Sequence, residues 1–592
     1  MPKKDEQSAA ELPEATAELE ILRQRVAELE ASASLGLNWR DMPEAVERLL
    51  VEEVPILSHD SSLDVEGALP EKSAHVMIEG DNLHALFTLQ ATHKGAVDVI
   101  YIDPPYNTGK EFIYNDKIVD LENQWRHSAW LSFMQKRLNL AFDLLKETGV
   151  IIISIDDNEQ ARLKLLCDAI FGENAFLGSI IRATNSTKSM SNYLSINYDH
   201  TLVYAKNRNA IDALVKATGK WEVLKNNVKE YQAAIKKLQK RKLSNDEITA
   251  ELKELTNYPR FVDFVNYWYV DNRGVYRKGD LGGVTKGNKT PLFNPITKKD
   301  DPVPPGGYRF SEEKLKELVA DDRIHFHDDG SLPTIKRYLD ENPKQRPKGI
   351  MSDDQRPDYN MLSAMGIDFD NPKQLTFIKR ILSIFPSDAL FLDFFAGSGT
   401  TMHAVLELNA EDSGRRRCIL VTNNENEICR EVTHVRIKSL LSGVWADGNH
   451  DPLPGSLRFY STSFMARKKN PDAMRMDLAS HTIDLVAVRE MVSETREVSH
   501  DLAMLYSEDR SIAVVPSIDA DHREVHKIAS GLAIADLPRR AYLFTWNDFG
   551  IEAEIAELWP DWEVEPLPAD MLAELRKLAP ARTLFDYPEN PQ

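Results

Sequence analysis

The sequence is poor in cysteine and has no long apolar run. Its 592 residues include three cysteines, too few for a disulfide framework or a four-thiolate zinc site. No stretch approaches the roughly 18 continuous apolar residues of a membrane-spanning helix. The first twenty residues also lack the apolar run of a secretory signal. These absences predict a protein of the reducing cytoplasm that contacts no membrane.

Charge is distributed unevenly over a chain whose composition is otherwise ordinary. Apolar residues make up 42% and charged residues 28%, which is enough to bury a core and excludes global disorder. The formal net charge is −21, yet residues 211–350 carry 27 basic and 21 acidic side chains, whereas residues 451–592 carry 15 and 25. The middle segment is therefore the candidate for contact with a polyanion, and the C-terminal segment is not.

Strands and helices alternate in two stretches of the chain, a rhythm typical of a parallel α/β sheet. We predict strands at 97–102, 150–155, 389–395 and 417–422, and helices at 130–145, at 376–385 and from residue 400. A Pro-, Gly- and Tyr-rich insertion at about 211–360 separates the two stretches, with short strands predicted at 267–269 and 308–310. Near the start, apolar residues at 19, 22, 26 and 29 predict a short helix that is either solvated or a dimer contact. A loop is predicted at 56–72.

The tetrapeptide Asp103-Pro104-Pro105-Tyr106 directly follows the strand predicted at 97–102. Two prolines fix an extended turn and remove two N–H donors, which leaves the Asp103 carboxylate and the Pro104 carbonyl as acceptors. Ligands of open α/β sheets bind at the carboxyl ends of the strands. Two acceptors beside an aromatic ring suit the exocyclic amino group of a planar base, although a plain strand-ending turn has the same composition.

A glycine-rich motif, Phe394-Phe395-Ala396-Gly397-Ser398-Gly399-Thr400-Thr401, follows the strand that ends near Asp393. Small residues let the backbone approach a ligand and open a helix N-terminus. The motif lacks the lysine of an ATP-binding phosphate loop, and Met402 breaks the dinucleotide-binding pattern. It therefore favours a nucleoside with a charged tail over ATP or NAD.

A third motif, Glu79-Gly80-Asp81-Asn82, places a carboxylate and an amide after another short apolar strand, where either could also cap a helix. The chain order is this motif, the tetrapeptide, the basic insertion and then the glycine-rich motif. That order resembles the β class of DNA amino-methyltransferases. The resemblance is closest to the modification (Mod) subunits of type III restriction–modification systems.

Further stretches carry the resemblance over about residues 35–440. They are GLNW at 36–39, IEGDNLHAL at 78–86, YIDPPYNTGKEFIYND at 101–116, WLSFMQKRL at 130–138, GVIIISIDDNE at 149–159, YDHTLVYAKN at 198–207, PPGGYRFSEEKL at 304–315, FDNPKQLTFIKRIL at 369–382 and ILVTNNENEI at 419–428. Because many motifs fall in one order, the match is specific.

The resemblance implies an α/β fold with a Rossmann-like methyltransferase domain in circularly permuted motif order. Its expected parts are an N-terminal helical arm (1–55), a catalytic half (70–210), a target-recognition domain (211–360), a cofactor half (361–445) and a C-terminal α/β domain for docking or dimer support (451–592). S-adenosylmethionine is the implied cofactor. The implied partners are double-stranded DNA, a second copy in a homodimer, and a helicase–nuclease restriction (Res) subunit.

The resemblance also implies residue roles. Asp103 and the Pro104 carbonyl would accept hydrogen bonds from the N6 amino group of a flipped adenine, Pro105 would complete the tetrapeptide, and Tyr106 would stack on the base. The implied cofactor contacts are Phe395, Gly397 and Gly399 with Asp393 and Thr400 of the same motif, Asn371 and Lys373 at the methionine end, Asp81 and Asn82 at the adenine ring, and Glu425 at the ribose.

Other functions remain open at this point. N4-cytosine methylation is disfavoured because that class usually carries Ser where this chain has Asp103. A DNA-binding specificity subunit without catalysis, and an orphan or other phage-defence adenine methyltransferase, are the further alternatives. His325 and His327 alternate without a third ligand at suitable spacing, so no metal site is predicted. Basic residues at 273–299, near several aromatics, are the favoured DNA contacts, and the lysine-rich stretch at 225–242 is either a phosphate contact or a solvated face.

Overall fold

The computed structural model describes most of the chain from residue 44 to residue 567. The described residues are 44–69, 74–108, 113–114, 117–118, 125–184, 193–194, 196–241, 243–353, 356–369, 371–468, 470–507, 509–517, 519–546, 551 and 553–567. The helix predicted around residues 19–29 lies outside them. Within these ranges, no helix combines the length and apolar composition needed to cross a bilayer.

Ten strands form the central sheet. They are β1 (Glu53–His59), β2 (Ala74–Glu79), β3 (Val97–Ile102), β4 (Leu145–Ile155), β5 (Phe176–Thr184), β6 (Tyr198–Ala205), β7 (Ile350–Asp353), β8 (Leu390–Asp393), β9 (Arg417–Thr422) and β10 (Ser456–Ala466). Their spatial order is β1-β10-β2-β9-β8-β3-β4-β6-β5-β7. The strands β10, β2, β9, β8, β3 and β4 run parallel, whereas β1 and β6 run antiparallel to their neighbours.

The adjacent strands β8 and β3 place the two motifs side by side. β8 pairs with β9 on one side and with β3 on the other. From β8 the chain continues to β9 on one side, whereas from β3 it continues to β4 on the opposite side. Such a reversal opens a crevice at the carboxyl ends of the strands. Asp103 and the glycine-rich turn both follow strands at this edge.

Helices cover both faces of the central strands, which explains why these strands are almost wholly apolar. Ile100 and Ile102 of β3 join one buried cluster with Trp130, while Val99 and Tyr101 join the cluster on the opposite face. This alternation follows the two-residue period of a strand. The helices span Ala45–Glu52, Asn82–His93, Arg126–Leu144, Gln160–Phe171, Arg208–Thr218, Val228–Gln239, Asn245–Leu255, Glu312–Ala320, Arg356–Ala364, Leu375–Leu382, Thr400–Asp412, Val435–Ser442, Pro471–Ala479, Thr482–Glu490, His522–Leu532 and Ala553–Ala556.

The segment between β6 and β7 forms a separate, smaller sheet. Its four strands lie in the order Tyr269–Val270, Val275–Gly279, Thr334–Tyr338 and Ile324–His325. The strand predicted at 267–269 is therefore shifted towards residue 270, because Tyr267 and Trp268 form a turn. The strand predicted at 308–310 is wrong: Tyr308 makes only an isolated bridge to Asn288, in a segment where glycines and prolines interrupt regular pairing.

The C-terminal segment builds a second sheet of five strands. These are Glu494–Ser499, Leu502–Tyr506, Ser511–Val515, Arg539–Phe544 and Glu563–Leu567. Leu505 and Ile512 of this sheet belong to the same buried cluster as Ile102 of the central sheet. The segment beyond residue 451 thus first supplies β10 to the central sheet and then shares a core with it.

Most of the predicted elements of the central sheet are confirmed, with one exception at the β1 edge. The strands predicted at 97–102 and 417–422 are β3 and β9, and the helix predicted at 130–145 spans Arg126–Leu144. The loop predicted at 56–72 is wrong for its first residues. Residues 56–59 instead form the end of β1, which pairs with β10. No local pattern in the sequence reveals this pairing.

Candidate active site

The tetrapeptide after β3 forms a braced loop. The Trp130 indole Nε1 donates a hydrogen bond to the Pro105 carbonyl over 2.7 Å, and Trp130 is fully buried. The Tyr106 hydroxyl donates to Asp103 Oδ1 over 2.9 Å. Within the described part of the chain, the Pro104 carbonyl accepts no hydrogen bond. The loop therefore holds one carboxylate and one carbonyl at the sheet edge beside an aromatic ring.

Asn107 anchors the far end of this loop. Its backbone is left-handed, with φ 57°, a conformation that asparagine tolerates better than most residues. Its buried side chain donates from Nδ2 to Glu159 Oε1 over 2.5 Å, and His127 Nδ1 lies 2.5 Å from the same oxygen. This anchoring role was not predicted from the sequence, although Asn107 and Glu159 both lie in stretches that carry the resemblance.

Asp393 stabilises the glycine-rich turn after β8 through two hydrogen bonds. Asp393 Oδ1 accepts from the Phe395 backbone N–H over 3.0 Å, and Oδ2 accepts from the Thr401 hydroxyl over 2.5 Å. Burial raises the pKa of Asp393 to about 7, and these hydrogen bonds offset only part of that effect. Both carboxylate oxygens of Asp393 accept hydrogen bonds from the turn, so Asp393 stabilises the conformation of the turn.

The two glycines of the turn adopt left-handed backbone conformations. Gly397 has φ 50° and Gly399 has φ 78°. A Cβ at Gly397 would meet no atom closer than 4.0 Å, so its outer side is open to a ligand. A Cβ at Gly399 would lie 3.1 Å from Thr433. The helix Thr400–Asp412 begins here, with its N-terminal end pointing at the same edge.

A buried arginine supports the turn from the helix Val435–Ser442. Arg436 donates to the Ser398 carbonyl, the Ser398 hydroxyl and the Thr400 hydroxyl over 3.0–3.2 Å. Burial lowers the pKa of Arg436 to about 10, which keeps it charged at neutral pH. His403 Nδ1, 3.0 Å from Arg436, accepts from the guanidinium because burial lowers its pKa to about 4. Sequence reasoning missed Arg436.

Asn82 joins the loop after β2 to the glycine-rich motif. Its Nδ2 donates to the Phe394 carbonyl over 3.0 Å, and its Oδ1 accepts from Arg137 over 2.5 Å. Arg137 is buried and also donates to Glu44 over 2.9 Å. Asp81 caps the helix Asn82–His93 by accepting from the Leu83 N–H over 2.8 Å, so the alternative role as a helix cap is confirmed.

The side-chain ammonium of Lys373 contacts the loop that follows β3. Its Nζ is 3.1 Å from Asp103 Oδ1, 4.7 Å from the Tyr106 ring centroid and 3.6 Å from Asp199 Oδ2, and it also donates to the Tyr106 hydroxyl. Asp199 is paired with Arg182 as well. Burial favours the neutral form of Asp199, but Lys373 and Arg182 outweigh it and hold the pKa of this carboxyl below its usual value. Sequence reasoning missed Asp199 and Arg182.

Comparison with known proteins identifies the family. The model of the DNA methylase family N6_N4_Mtase matches residues 97–434. This chain belongs to that family.

The methylase resembles several curated enzymes over most of its described length. It is 30% identical to the type III EcoP15I Mod subunit of Escherichia coli, covering 69% of this chain and 67% of the relative. It is 33% identical to the StyLTI Mod subunit of Salmonella typhimurium, covering 64% and 56%. It is 32% identical to the type II methyltransferase M.KpnI of Klebsiella pneumoniae, covering 61% and 82%. The chain thus spans from about half to four-fifths of these relatives.

Solved structures match the chain at lower sequence identity. The PvuII cytosine-N4-specific DNA methyltransferase is 10% identical, with a TM-score of 0.30, and covers 62% of this chain and 87% of its own. The M1.HpyAVI–SAM complex is 12% identical, with a TM-score of 0.25, and covers 59% and 95%.

Asn371 and Glu425 complete the predicted cofactor contacts of this methylase. Asn371 has φ 55° and accepts from the Tyr359 hydroxyl over 3.3 Å. Glu425 is exposed in a short helical turn directly after β9. Neither residue makes a hydrogen bond or ion pair with another predicted site residue within the described part of the chain. Glu425 follows the carboxyl end of β9 in the central sheet.

The basic residues predicted to touch DNA lie on the smaller sheet and its loops. Lys278 Nζ lies 4.1 Å from the Tyr269 ring centroid, on adjoining strands. Arg273 is paired with Asp321 at 2.8 Å. His325 accepts from or donates to the Tyr276 hydroxyl over 2.8 Å, and burial lowers its pKa to about 4. No group of three or more His, Cys, Asp or Glu suited to a metal occurs among the described residues.

Proposed function

We propose that this methylase modifies the N6 amino group of a flipped adenine in a short DNA sequence. We propose further that it does so as the modification subunit of a type III restriction–modification system. The observation that carries the proposal is the pairing of β3 with β8, which brings the Asp103 loop and the glycine-rich turn to one crevice. The similarity to Mod subunits supports the type III assignment.

The loop after β3 supports the choice of an amino group as the target. Asp103 and the Pro104 carbonyl are two acceptors, and an exocyclic amino group carries two hydrogens. Accepting both would turn the nitrogen lone pair away from the base plane and hold it in one direction. Positioning of this kind supplies much of the rate when the electrophile is already strong. Asp103 also stabilises the positive charge that develops on the nitrogen.

Asp103 favours adenine over cytosine in this proposal. Among the methyltransferases that this chain resembles, N4-cytosine enzymes usually carry Ser at this position. A base inside a duplex cannot present its amino group to the crevice, so it must be extruded at a cost of a few kcal/mol. Stacking on Tyr106 offsets part of that cost, because the hydrogen bond from its hydroxyl to Asp103 already holds the ring in position.

The glycine-rich turn fits S-adenosylmethionine. The open side of Gly397 and the helix N-terminus at Thr400 would accept the methionine part, beside Phe395 and Gly399. Asp81 and Asn82 would face the adenine ring, Glu425 the ribose and Asn371 the methionine end. Lys373 is left out of this set because its ammonium contacts Asp103 and Tyr106. When bound, the cofactor supplies an electrophilic methyl group. Asp393 and Arg436 hold the turn in the shape that this binding requires.

The strand order also supports a circularly permuted methyltransferase domain. The catalytic loop precedes the glycine-rich motif in the chain, yet the two are neighbours in the sheet. We propose residues 70–210 and 361–445 as its catalytic and cofactor halves. Residues 211–360 would recognise the target DNA, and residues 1–55 would form the N-terminal arm.

The proposed partners follow from the relatives. A helicase–nuclease Res subunit would supply the ATP-driven step, and a homodimer would divide recognition and methylation between two copies. Residues 451–592 would serve docking or dimer support. The acidic balance of this segment, with 25 acidic and 15 basic residues, favours protein contacts over DNA.

The experiment is single-molecule sequencing of plasmid DNA from cells that express the chain, beside an Asp103→Ala control. N6-methyladenine at one asymmetric motif on one strand supports the type III assignment. Methylation of both strands of a palindrome would retain the adenine methyltransferase and overturn the type III assignment. N4-methylcytosine would overturn the choice of adenine.

A further inference from the structure

Lys373 occupies the space that the target base would need. Its ammonium nitrogen is 3.1 Å from Asp103 Oδ1, the carboxylate expected to accept the adenine amino group. The same nitrogen lies 4.7 Å from the centroid of the Tyr106 ring, the surface expected to stack on the base. A base in that position and the ammonium in its present position cannot coexist.

Lys373 has a second acceptor within reach. Asp199 Oδ2 lies 3.6 Å from Lys373 Nζ, on β6, which is separated from β3 by β4 in the sheet. Arg182 of β5 is paired with the same carboxylate, which keeps Asp199 fixed and charged. A flexible lysine side chain can therefore transfer from Asp103 to Asp199 by rotation about its own bonds, without movement of the backbone.

We propose that Lys373 is a positioning residue that stands in for the target base in the DNA-free enzyme and transfers to Asp199 when the base enters. Before DNA binds, the ammonium satisfies Asp103 and covers Tyr106. After transfer, the full charge of Asp103 faces the amino group of the base. This inference rests on the proposed function and adds a role for Asp199 through Lys373.

The replacement of the Lys373 ammonium by the target base also lets the site discriminate between bases. A base that enters must replace the hydrogen bonds that Asp103 loses when the ammonium leaves. An exocyclic amino group can do so, whereas a carbonyl at the same position cannot, because it offers no donor and faces a carboxylate. Competition with Lys373 would thus reject bases that lack a donor at that position.

The test uses the full-length enzyme and a duplex that keeps the target adenine and carries 2-aminopurine directly beside it, where fluorescence rises when the target adenine leaves the base stack. Lys373→Met should raise the extruded fraction several-fold, because the ring face of Tyr106 is open. Asp199→Asn should lower it several-fold, because the displaced ammonium has no acceptor. The double variant should match Lys373→Met, since Asp199 acts only through Lys373.

Controls separate this role from others. Lys379→Met, in the helix that follows Lys373 but paired with Glu407 and Glu411, should behave like the wild type. Cofactor affinity by calorimetry should change less than two-fold in every variant. If Asp199→Asn is unstable because Arg182 loses its partner, the extruded fraction measured for Lys373→Met still tests the proposal.

Three results would overturn the inference. They are a lower extruded fraction in Lys373→Met, loss of cofactor binding in Lys373→Met, and a double variant that falls below Lys373→Met. If the wild type extrudes no base from the mapped duplex, the proposed function itself fails. If the wild type does extrude the base and all the variants equal it, only the inference about Lys373 fails.

Discussion

Lys373 and Asp103 form an ion pair, with 3.1 Å between Nζ and Oδ1, although they come from opposite sides of a long insertion. Asp103 follows β3, and Lys373 precedes the helix Leu375–Leu382 that packs beneath the sheet. The two halves of the sheet therefore meet at the reacting end of the crevice. A substitution in either half is expected to affect the same step.

Removal of the Asp103 carboxylate should abolish methylation while leaving the cofactor bound. Asp103→Ala removes an electrostatic contact, whose loss alone typically lowers kcat by about 10²–10³-fold, and with it the acceptor that orients the amino group. The glycine-rich turn is held by Asp393 and Arg436, which do not depend on Asp103. Methyl transfer to duplex DNA and cofactor calorimetry measure the two effects. Loss of cofactor binding together with activity would contradict the assignment.

Gly397→Ala should weaken cofactor binding more than ten-fold. The left-handed backbone at φ 50° costs a residue with a Cβ about 1–2 kcal/mol, and the new methyl group would occupy the open side of the turn. Gly531→Ala is the matched control. It lies in the helix His522–Leu532, where a Cβ meets no atom within 4 Å.

Calorimetry with S-adenosylmethionine checks this pair of variants. Gly531→Ala should retain wild-type affinity and gain slightly in thermal stability, as alanine does in a helix. Equal affinities for Gly397→Ala and the wild type would show that the turn does not touch the cofactor.

Asp393 should make the stability of the protein depend on pH. Its pKa is raised from 3.8 to about 7 in the folded protein, so between these values the folded state binds more protons than the unfolded chain. Stability is therefore expected to fall as pH rises from about 4 to about 7, with the full penalty above that window.

Asp393→Asn should remove this dependence. The amide oxygen can still accept from the Phe395 N–H, and no charge develops as pH rises. Melting temperatures of the two proteins from pH 5 to pH 8 should converge at the acid end and diverge at the alkaline end, with the variant higher. Parallel melting curves across the range would refute the burial argument.

Trp130→Phe should loosen the tetrapeptide loop. The change keeps most of the buried ring but removes the 2.7 Å hydrogen bond to the Pro105 carbonyl, a loss of about 0.5–1.5 kcal/mol for a typical hydrogen bond. We expect single-turnover methylation to slow several-fold, with DNA affinity and cofactor affinity unchanged. An unaltered rate would mean that the two prolines alone fix the loop.

The local motifs were predictable because each is a contiguous pattern. The tetrapeptide, the glycine-rich turn and the β3 and β9 strands follow from apolar runs and the residues that end them. Asp199, Arg182 and Arg436 were not predictable in the same way. Each reaches the site from a separate segment of the chain. Asp199 lies in a stretch that carries the resemblance, but no local pattern assigns it a contact with Lys373.

β10 illustrates the same limit for the fold. Its residues lie in a segment that charge and spacing assign to a separate C-terminal domain, yet the strand pairs with both β1 and β2 inside the central sheet. Deletion from about residue 450 would therefore remove a sheet strand. Exposed substitutions in the five-stranded sheet are a better test of a docking role than truncation.

The most direct test of the account is the modification map of plasmid DNA from cells expressing the wild type or Asp103→Ala. The account predicts N6-methyladenine at one short sequence in the wild type and none in the variant. Methylated adenine that persists in Asp103→Ala, or methylated cytosine in the wild type, would contradict it.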